Sequence, residues 1–291
     1  MNILAILLAL AAALCWALTQ TFAKPGMERL DLVSYLFIRP LFALLLILPY
    51  GLYNSGFHFP SPELVGIAIF ASFIDSFAGT LLYMFAIKKS SAHKSASLAN
   101  TAPFWGVVTA VVLLGERPTF FTFIAAILVA LGAYFLVTRK GTNSADYSFW
   151  KPLPALGTGL LWGFAETVPT KYCLTHGMTP LTYQLILVST AAVSWGFVAG
   201  LRSKNHRLRY PWRGLRIALF TSFTGFFLGW FLWLSSLKLA LASQLAPIRG
   251  GAMTLFAFIL SIFLIHERPS KHSFIGMFLI LCGVFMVSIL G

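Results

Sequence analysis

Four charged side chains lie near the middle of long apolar stretches of this 291-residue sequence: Arg39, Asp75, Glu166 and Arg249. The other six of the eight acidic residues fall in loops or near the ends of apolar stretches. At the centre of a bilayer each charge costs ~2.5–3.5 kcal/mol, so such groups are kept where they pair, take up a proton or face water. We therefore predict that these side chains bind a charged ligand or a proton. The alternative is that they form internal ion pairs that only hold helices together.

Aromatic residues recur at helical spacing beside these charges. Trp16 and Gln20 are four residues apart, as are Trp162 and Glu166, and residues at this spacing share one face of a helix. Each pair would supply an aromatic wall with a polar group next to it. Two further runs have similar spacing, and their small residues would let helices pack closely. They are Ser72, Asp75, Gly79 and Tyr83, then Ser222, Gly225, Gly229 and Trp233.

The composition indicates which elements must position these residues. Hydrophobic residues make up 58% of the chain and charged residues only 10%, whereas soluble proteins carry about 25% charged residues. A membrane-spanning helix needs ~20 apolar residues, so with short loops the 291 residues predict ten helices and leave no room for a soluble domain. The predicted helices cover residues 3–23, 32–53, 63–87, 95–114, 119–138, 153–173, 180–201, 213–237, 241–265 and 272–290.

The two halves of the chain resemble each other. Gly115-Glu116-Arg117-Pro118 recurs as His266-Glu267-Arg268-Pro269 at an offset of 151 residues, and Trp16 matches Trp162 at an offset of 146. We therefore divide the chain into a first five-helix repeat over 1–140, a short linker over 141–149 and a second five-helix repeat over 150–291. Because five is odd, consecutive repeats enter the membrane from opposite sides. The predicted fold is an all-α integral membrane protein with ten transmembrane helices in two inverted five-helix repeats.

These motifs, taken in order, resemble the EamA type of the drug/metabolite transporter superfamily over essentially the whole chain. The matching positions are Trp16, Pro103, Gly115-Glu116-Arg117 and Gly132 in the first half, and Trp162-Gly163, Glu267-Arg268 and Gly283 in the second. One position departs from the family pattern: Thr254 occupies the second proline slot, and Pro247 lies seven residues earlier. The resemblance implies a secondary transporter whose helices 1, 3, 4, 6, 8 and 9 line a central cavity, with Asn100 and Gln244 as further polar candidates.

The expected substrate is a small polar, zwitterionic metabolite such as an amino acid or an amino-acid derivative. Glu166 and Asp75 would hold its cationic end beside the tryptophans, and Arg249, in a helix loosened by Pro247, would hold its carboxylate. Glu166 could instead carry a coupling proton. The predicted substrate-binding residues are Trp16, Gln20, Asp75, Tyr83, Asn100, Trp162, Glu166, Trp233, Gln244 and Arg249. Arg39, Glu116 and Glu267 are predicted to form structural ion pairs or gating contacts.

Other functions are less consistent with the sequence. It contains no Walker A motif and no Ser/His or paired-aspartate constellation inside an apolar span, so neither an ATP-driven pump nor an enzyme is expected, although an intramembrane enzyme is a remote alternative. A flippase or transporter for a lipid headgroup or a cationic drug-like compound is the closer alternative. No cofactor or metal is expected. The expected partners are a small-molecule substrate, the lipid bilayer and a proton or counter-substrate, and both a monomer and a homodimer remain open.

The basic residues predict an orientation in the cell (inner) membrane. The net charge of +13 comes from Lys and Arg in short loops, where anionic headgroups explain it without nucleic acid. The loops after helices 1, 3, 5, 7 and 9 carry 16 of the 21 Lys and Arg residues, and the opposite side carries 3. The positive-inside rule then places both termini outside the cytoplasm, whereas the family resemblance implies termini inside.

Overall fold

The computed structural model shows a protein built of α-helices and short π-helical segments, with no strand among the residues that the structure describes. Those residues are 2–54, 56–89, 98–137, 153–203, 210–265 and 271–291. The predicted linker over 141–149 and the Glu267 motif therefore lie outside the described residues.

The helices follow the apolar stretches of the sequence closely, and most ends differ from the predicted ones by only a few residues. Two helices, α3 and α8, each contain a π-helical segment in the middle. The bounds are α1 Ile3–Arg29, α2 Leu32–Tyr53, α3 Pro62–Phe73 with Ile74–Gly79 (π) and Thr80–Lys89, α4 Ala102–Leu114, α5 Phe120–Val137, α6 Leu153–Thr175, α7 Pro180–Ser203, α8 Trp212–Thr221 with Ser222–Gly229 (π) and Trp230–Leu239, α9 Ala242–Ile265 and α10 Lys271–Leu290.

Two predicted boundaries were wrong. Helix α4 begins at Ala102 rather than at residue 95, after a turn at Asn100 and Thr101, and Pro103 lies in its first turn, where proline is tolerated. Lys24-Pro25-Gly26 was expected to end the first helix, yet α1 continues through Pro25 to Arg29. Proline removes one backbone hydrogen bond, but it does not stop a helix whose neighbours are packed against another element. Gly26 provides that packing, since a Cβ there would lie 2.6 Å from the ring of Tyr35 in α2. The turn is instead closed by Leu30, whose N–H donates to the Gly26 carbonyl over 2.9 Å.

In the described part of the chain, six helices are long and apolar enough to cross a membrane, namely α1, α2, α3, α7, α8 and α9. Three shorter apolar helices occur within α4, α5 and α10. Helix α6 has 23 residues, and it is the most polar of the long helices because Glu166 and Lys171 interrupt its apolar sequence. Large apolar side chains cover the outside of the bundle, and Val112, Phe263 and Phe120 are each more than 70% exposed. Such a surface is stable in lipid rather than in water.

Helix contacts in one half have counterparts in the other. Helix α1 packs on α8 and α9, and α6 packs on α3 and α4, while α2 pairs with α7 and α5 with α10. The last pair shows how the sequence permits close contact. A Cβ on Gly132 would lie 2.7 Å from the Gly276 carbonyl, and a Cβ on Gly283 would lie 2.8 Å from the Ala125 carbonyl. Both helices therefore need glycine where their backbones meet.

Candidate functional site

A central cavity of about 290 Å³ lies between the helices of the two halves. Its lining includes all four charged residues found inside apolar stretches. Of the ten predicted substrate-binding residues, eight line it: Trp16, Gln20, Asp75, Tyr83, Asn100, Trp162, Glu166 and Arg249. The other two do not. Trp233 is fully buried behind Arg249, and Gln244 lies in the first turn of α9, away from the cavity.

Two of the four charges form an ion pair. Arg249 in α9 donates from Nη2 to the Oε2 atom of Glu166 in α6. The guanidinium also contacts two neighbouring indole rings, with its Cζ atom 4.7 Å from the ring centroids of both Trp16 and Trp233. The Arg249 side chain is only 4% exposed and that of Glu166 14%. The structure thus brings together the carboxylate and guanidinium that the sequence suggested as separate substrate ligands.

Local features of α6 and α8 hold this pair in place. Pro169 cannot donate a backbone hydrogen bond to the Ala165 carbonyl, and the Thr170 hydroxyl donates to that carbonyl over 2.7 Å instead. The helix can therefore continue past the proline. One turn before it, the Glu166 carbonyl accepts a 3.0 Å hydrogen bond from Trp233 Nε1. This bond fixes the indole that stacks on Arg249 and ties α8 to α6 beside the ion pair.

The two cavity-lining tryptophans of the repeated motif make equivalent hydrogen bonds. Trp16 Nε1 donates to the Gly225 carbonyl, and Trp162 Nε1 donates to the Asp75 carbonyl, both over 3.1 Å. Gly225 and Asp75 lie 150 residues apart in the sequence, one in each π-helical segment. π-helical segments shift backbone hydrogen bonds and often occur at functional sites, so their carbonyls are available to the indole donors.

Glycines let these indoles approach the π-helical segments. A Cβ on Gly79 would lie 2.6 Å from Trp162 Nε1, and a Cβ on Gly229 would lie 3.0 Å from Trp16 Nε1. Larger residues would therefore displace both tryptophans. The sequence indicated these glycines as packing residues, and the structure adds that each one accommodates a tryptophan from the other half of the chain.

The remaining two charges, Arg39 and Asp75, make no ion pair within the described part of the chain. The Asp75 side chain is 9% exposed, and only its backbone carbonyl accepts a hydrogen bond from the described residues. The Arg39 guanidinium lies 5.2 Å from the ring centroid of Tyr35 and 5.0 Å from that of Phe226. Arg39 was predicted as a structural or gating residue, and it lies in the wall of the cavity.

Several cavity residues were not predicted from the sequence. Tyr35, Trp195 and Met253 line the cavity beside the predicted Gln20 and Tyr83. Tyr35 precedes Arg39 by one helical turn, so the spacing used for the tryptophans could have identified it. Trp195 Nε1 donates to the Ser76 carbonyl in the π-helical segment of α3 over 2.9 Å, which no sequence pattern indicated. Helices α2 and α7 therefore join the six helices expected to form the cavity.

A second polar cluster lies where α8 ends and α9 begins. Both carboxylate oxygens of Glu116 accept backbone hydrogen bonds from the start of α9, from Ala242 over 2.9 Å and from Ser243 over 2.8 Å. Lys171 Nζ donates to the Leu237 and Ala240 carbonyls at the end of α8. An acidic group at a helix N-terminus and a basic group at a C-terminus both stabilise the helix dipole. Glu116 therefore anchors this junction from outside the cavity.

The fold and cavity define a multi-pass, all-helical membrane protein with a polar interior, and comparison with known proteins identifies its family. The profile of the EamA-like transporter family matches residues 3–138 and again residues 150–289. The chain therefore belongs to the EamA-like transporter family, as the sequence motifs indicated, and this family consists of transporters rather than enzymes.

Individual relatives are distant but match over the full length. A protein of Archaeoglobus fulgidus named "Uncharacterized transporter" is 22% identical over 286 residues, covering 98% of both chains. A second transporter of that organism is 23% identical over 287 residues, covering 94% of both chains. A protein crystal structure shares the fold with a TM-score of 0.83 at 16% identity, covering 99% of both chains.

Proposed function

We propose that this protein is a secondary transporter that moves a small zwitterionic metabolite, such as an amino acid or amino-acid derivative, by alternating access. The observation that carries the proposal is the charge of the central cavity. Among the described residues its lining contains two carboxylates, Asp75 and Glu166, and two guanidiniums, Arg39 and Arg249. A zwitterion adds one charge of each sign, so it can enter this balanced site without leaving a net charge inside the membrane.

The size and walls of the cavity favour a small substrate. Its volume of about 290 Å³ lies at the lower limit of the ~300–1,000 Å³ usual for ligand sites, which favours a metabolite over a drug-sized compound. Trp16, Trp162 and Tyr83 supply aromatic surface that would attract a cationic group, at ~0.5–2 kcal/mol per contact. A lipid flippase would need a lateral opening. The apolar groove between α3 and α7 shares no lining residue with the cavity in the described part of the chain.

We propose that the chain contains ten transmembrane helices in two inverted five-helix repeats, over 1–140 and 150–291. Three findings support this proposal. The family profile matches the chain twice, and helices of each half pack against helices of the other half in equivalent pairs. The indoles of Trp16 and Trp162 also donate hydrogen bonds to equivalent π-helical segments. In related architectures one repeat rocks against the other around a site at the midplane. Close packing at Gly79 and Gly229 would permit such small movements.

The cavity extends to one side of the proposed membrane. Its residues lie in the second half of α1, from Trp16 to Met27, and in the first half of α2, from Tyr35 to Arg39. This is the side with most of the basic residues. The opposite side contains the Glu116 and Lys171 contacts at the α8–α9 junction. We propose that these contacts close that side in the conformation described, and that they separate when the cavity opens there.

Transport should require no nucleotide, since a secondary transporter uses the gradient of its substrate or of an ion. Purified protein in liposomes, preloaded with an unlabelled amino acid that it binds, should take up the labelled form by exchange without ATP. Protein-free liposomes provide the control. A strict ATP requirement would contradict the proposed mechanism, and uptake driven only by an imposed pH gradient would identify a proton as the coupling ion.

Both termini should face away from the cytoplasm, because 16 basic residues lie on one side of the predicted helices and 3 on the other. A tag after Gly291 in intact cells should therefore react with an impermeant label before lysis. A matching tag inserted after Lys140 should react only after lysis. The reverse labelling of the two tags would show that the family topology prevails over the charge bias.

A further inference from the structure

Two of the four charges in the cavity are largely satisfied by the protein itself. The Glu166 carboxylate and the Arg249 guanidinium bind each other, and the Cζ atom of the guanidinium lies 4.7 Å from the ring centroids of two indoles, Trp16 and Trp233. The charge of Arg249 already has a carboxylate partner in the protein. The pair therefore resembles a built part of the cavity wall.

Arg39 differs from Arg249 in its charge partner. The Nε atoms of both arginines are buried without a hydrogen-bond partner, but only Arg249 has a carboxylate within ion-pair distance among the described residues, while aromatic rings contact the Arg39 guanidinium. Its Nη2 atom lies 3.2 Å from the position that a Cβ on Gly225 would occupy. Glycine thus leaves space beside the guanidinium. The Arg39 guanidinium therefore has no carboxylate partner among the described residues, and a planar substrate carboxylate would supply two hydrogen-bond acceptors to it.

Asp75 offers the complementary charge in the same cavity. Its backbone is held by the indole of Trp162, while its carboxylate accepts no hydrogen bond from the described residues. Arg249 lines the same cavity but does not lie within ion-pair distance of the Asp75 carboxylate. Asp75 therefore presents a positioned and unoccupied acceptor that suits an ammonium group.

We infer that Arg39 and Asp75 are the charged ligands of the substrate: the Arg39 guanidinium binds its carboxylate and the Asp75 carboxylate binds its ammonium group. The Glu166–Arg249 pair stays intact beside them and orders the wall. This assignment rests on the proposed function, since it names the residues that would recognise the zwitterion. It follows from uncompensated charge, because a buried charge without a partner is costly and a ligand of opposite charge removes that cost.

The test is a comparison of matched probes on the purified full-length protein. The twenty proteinogenic L-amino acids are first screened by thermal shift, since a ligand that binds the folded state raises its melting temperature. The best binder is then compared with its decarboxylated amine and its deaminated acid. Each probe lacks one charge of the zwitterion and keeps the side chain. Dissociation constants are measured for the wild type, Arg39→Gln, Arg39→Lys and Asp75→Asn.

The two neutral variants, Arg39→Gln and Asp75→Asn, should each lose affinity for a different probe. Arg39→Gln should bind the amino acid and the acid about 10- to 100-fold more weakly, and the amine as the wild type does. Asp75→Asn should bind the amino acid and the amine more weakly than the wild type does, but should bind the acid with unchanged affinity. Arg39→Lys should recover part of the lost affinity, because it restores the charge without the planar fork. Arg216→Gln, at an exposed arginine that stacks on Trp212, serves as the control and should change nothing.

The outcomes separate this assignment from the proposed function. If the wild type binds none of the twenty amino acids, the proposed substrate class and the assignment both fail. If it binds one and Arg39→Gln keeps full affinity for the acid, the substrate class stands and the assignment is wrong. Monodisperse size-exclusion profiles verify folding. If Arg39→Gln does not fold, the assignment is tested with Arg39→Lys and Asp75→Asn instead. If both of these variants bind the amino acid, the amine and the acid with the same relative affinities as the wild type, the assignment is wrong.

Discussion

Arg249→Ala should destabilise the protein and reduce transport to the level of protein-free liposomes. It leaves Glu166 without its partner and removes the cation that contacts the rings of Trp16 and Trp233. Removing one member of a buried ion pair costs about 3–5 kcal/mol. The melting temperature in detergent and exchange in liposomes would measure both effects. Arg216→Ala, at an exposed arginine with a single aromatic contact, should leave both nearly unchanged.

The double variant Glu166→Gln/Arg249→Gln should recover most of the lost stability. Replacing both members of a buried pair by neutral groups is often nearly neutral, because no charge remains uncompensated. The amide side chains could also bond each other. If the double variant is no more stable than Arg249→Ala, the broken ion pair does not explain the loss of stability. The lost contact of the guanidinium with the two indoles must then explain it.

Glu166→Gln alone distinguishes the possible roles of this carboxylate. Loss of net proton-driven uptake with intact exchange would identify Glu166 as a proton carrier, whereas loss of binding would identify it as a substrate ligand. If Glu166→Gln and Arg249→Ala both leave transport and affinity unchanged, neither residue is a substrate ligand, and these charges only hold α6 and α9 together.

The sequence predicted the helices well because a bilayer imposes one simple requirement. An apolar run of ~20 residues has no other stable arrangement in lipid, so the spans could be located from hydrophobicity alone. The C-terminal end of α1 could not be located in this way. Proline and glycine usually mark a break, but Gly26 serves the contact with Tyr35, and that contact depends on where α2 packs.

The charged residues of the cavity could be identified because polar groups are costly in an apolar span, but their pairing could not be predicted. Glu166 and Arg249 are 83 residues apart, and from the sequence Arg39 could equally have been the ion-pair partner of Glu166. Which guanidinium pairs depends on the crossing of α6 and α9. The π-helical segments were also missed, since Asp75 and Gly225 occur at ordinary helical spacing and only the indole donors reveal the displaced carbonyls.

Glu116→Ala should open the side of the protein that we propose is closed by the contacts of Glu116. It removes the acceptors for the Ala242 and Ser243 amides and for the Ser243 hydroxyl, which bonds Glu116 over 2.5 Å. Loss of a helix N-terminal cap costs about 0.5–2 kcal/mol, and bonds to a charged group cost more. A change of this size suffices to shift an equilibrium between two conformations by about tenfold, so a lower melting temperature and faster access from that side are both expected.

A single cysteine can report this opening. Ala246 is 1% exposed and lies one helical turn beyond Ala242, between the α8–α9 junction and Arg249. In a protein whose three native cysteines are replaced, Ala246→Cys should react slowly with an impermeant maleimide and several-fold faster when Glu116→Ala is added. Glu63→Ala is the matched control, since Glu63 is an exposed acidic residue in the first turn of α3. Equal labelling rates with and without Glu116 would mean that its contacts stabilise α9 without closing the cavity.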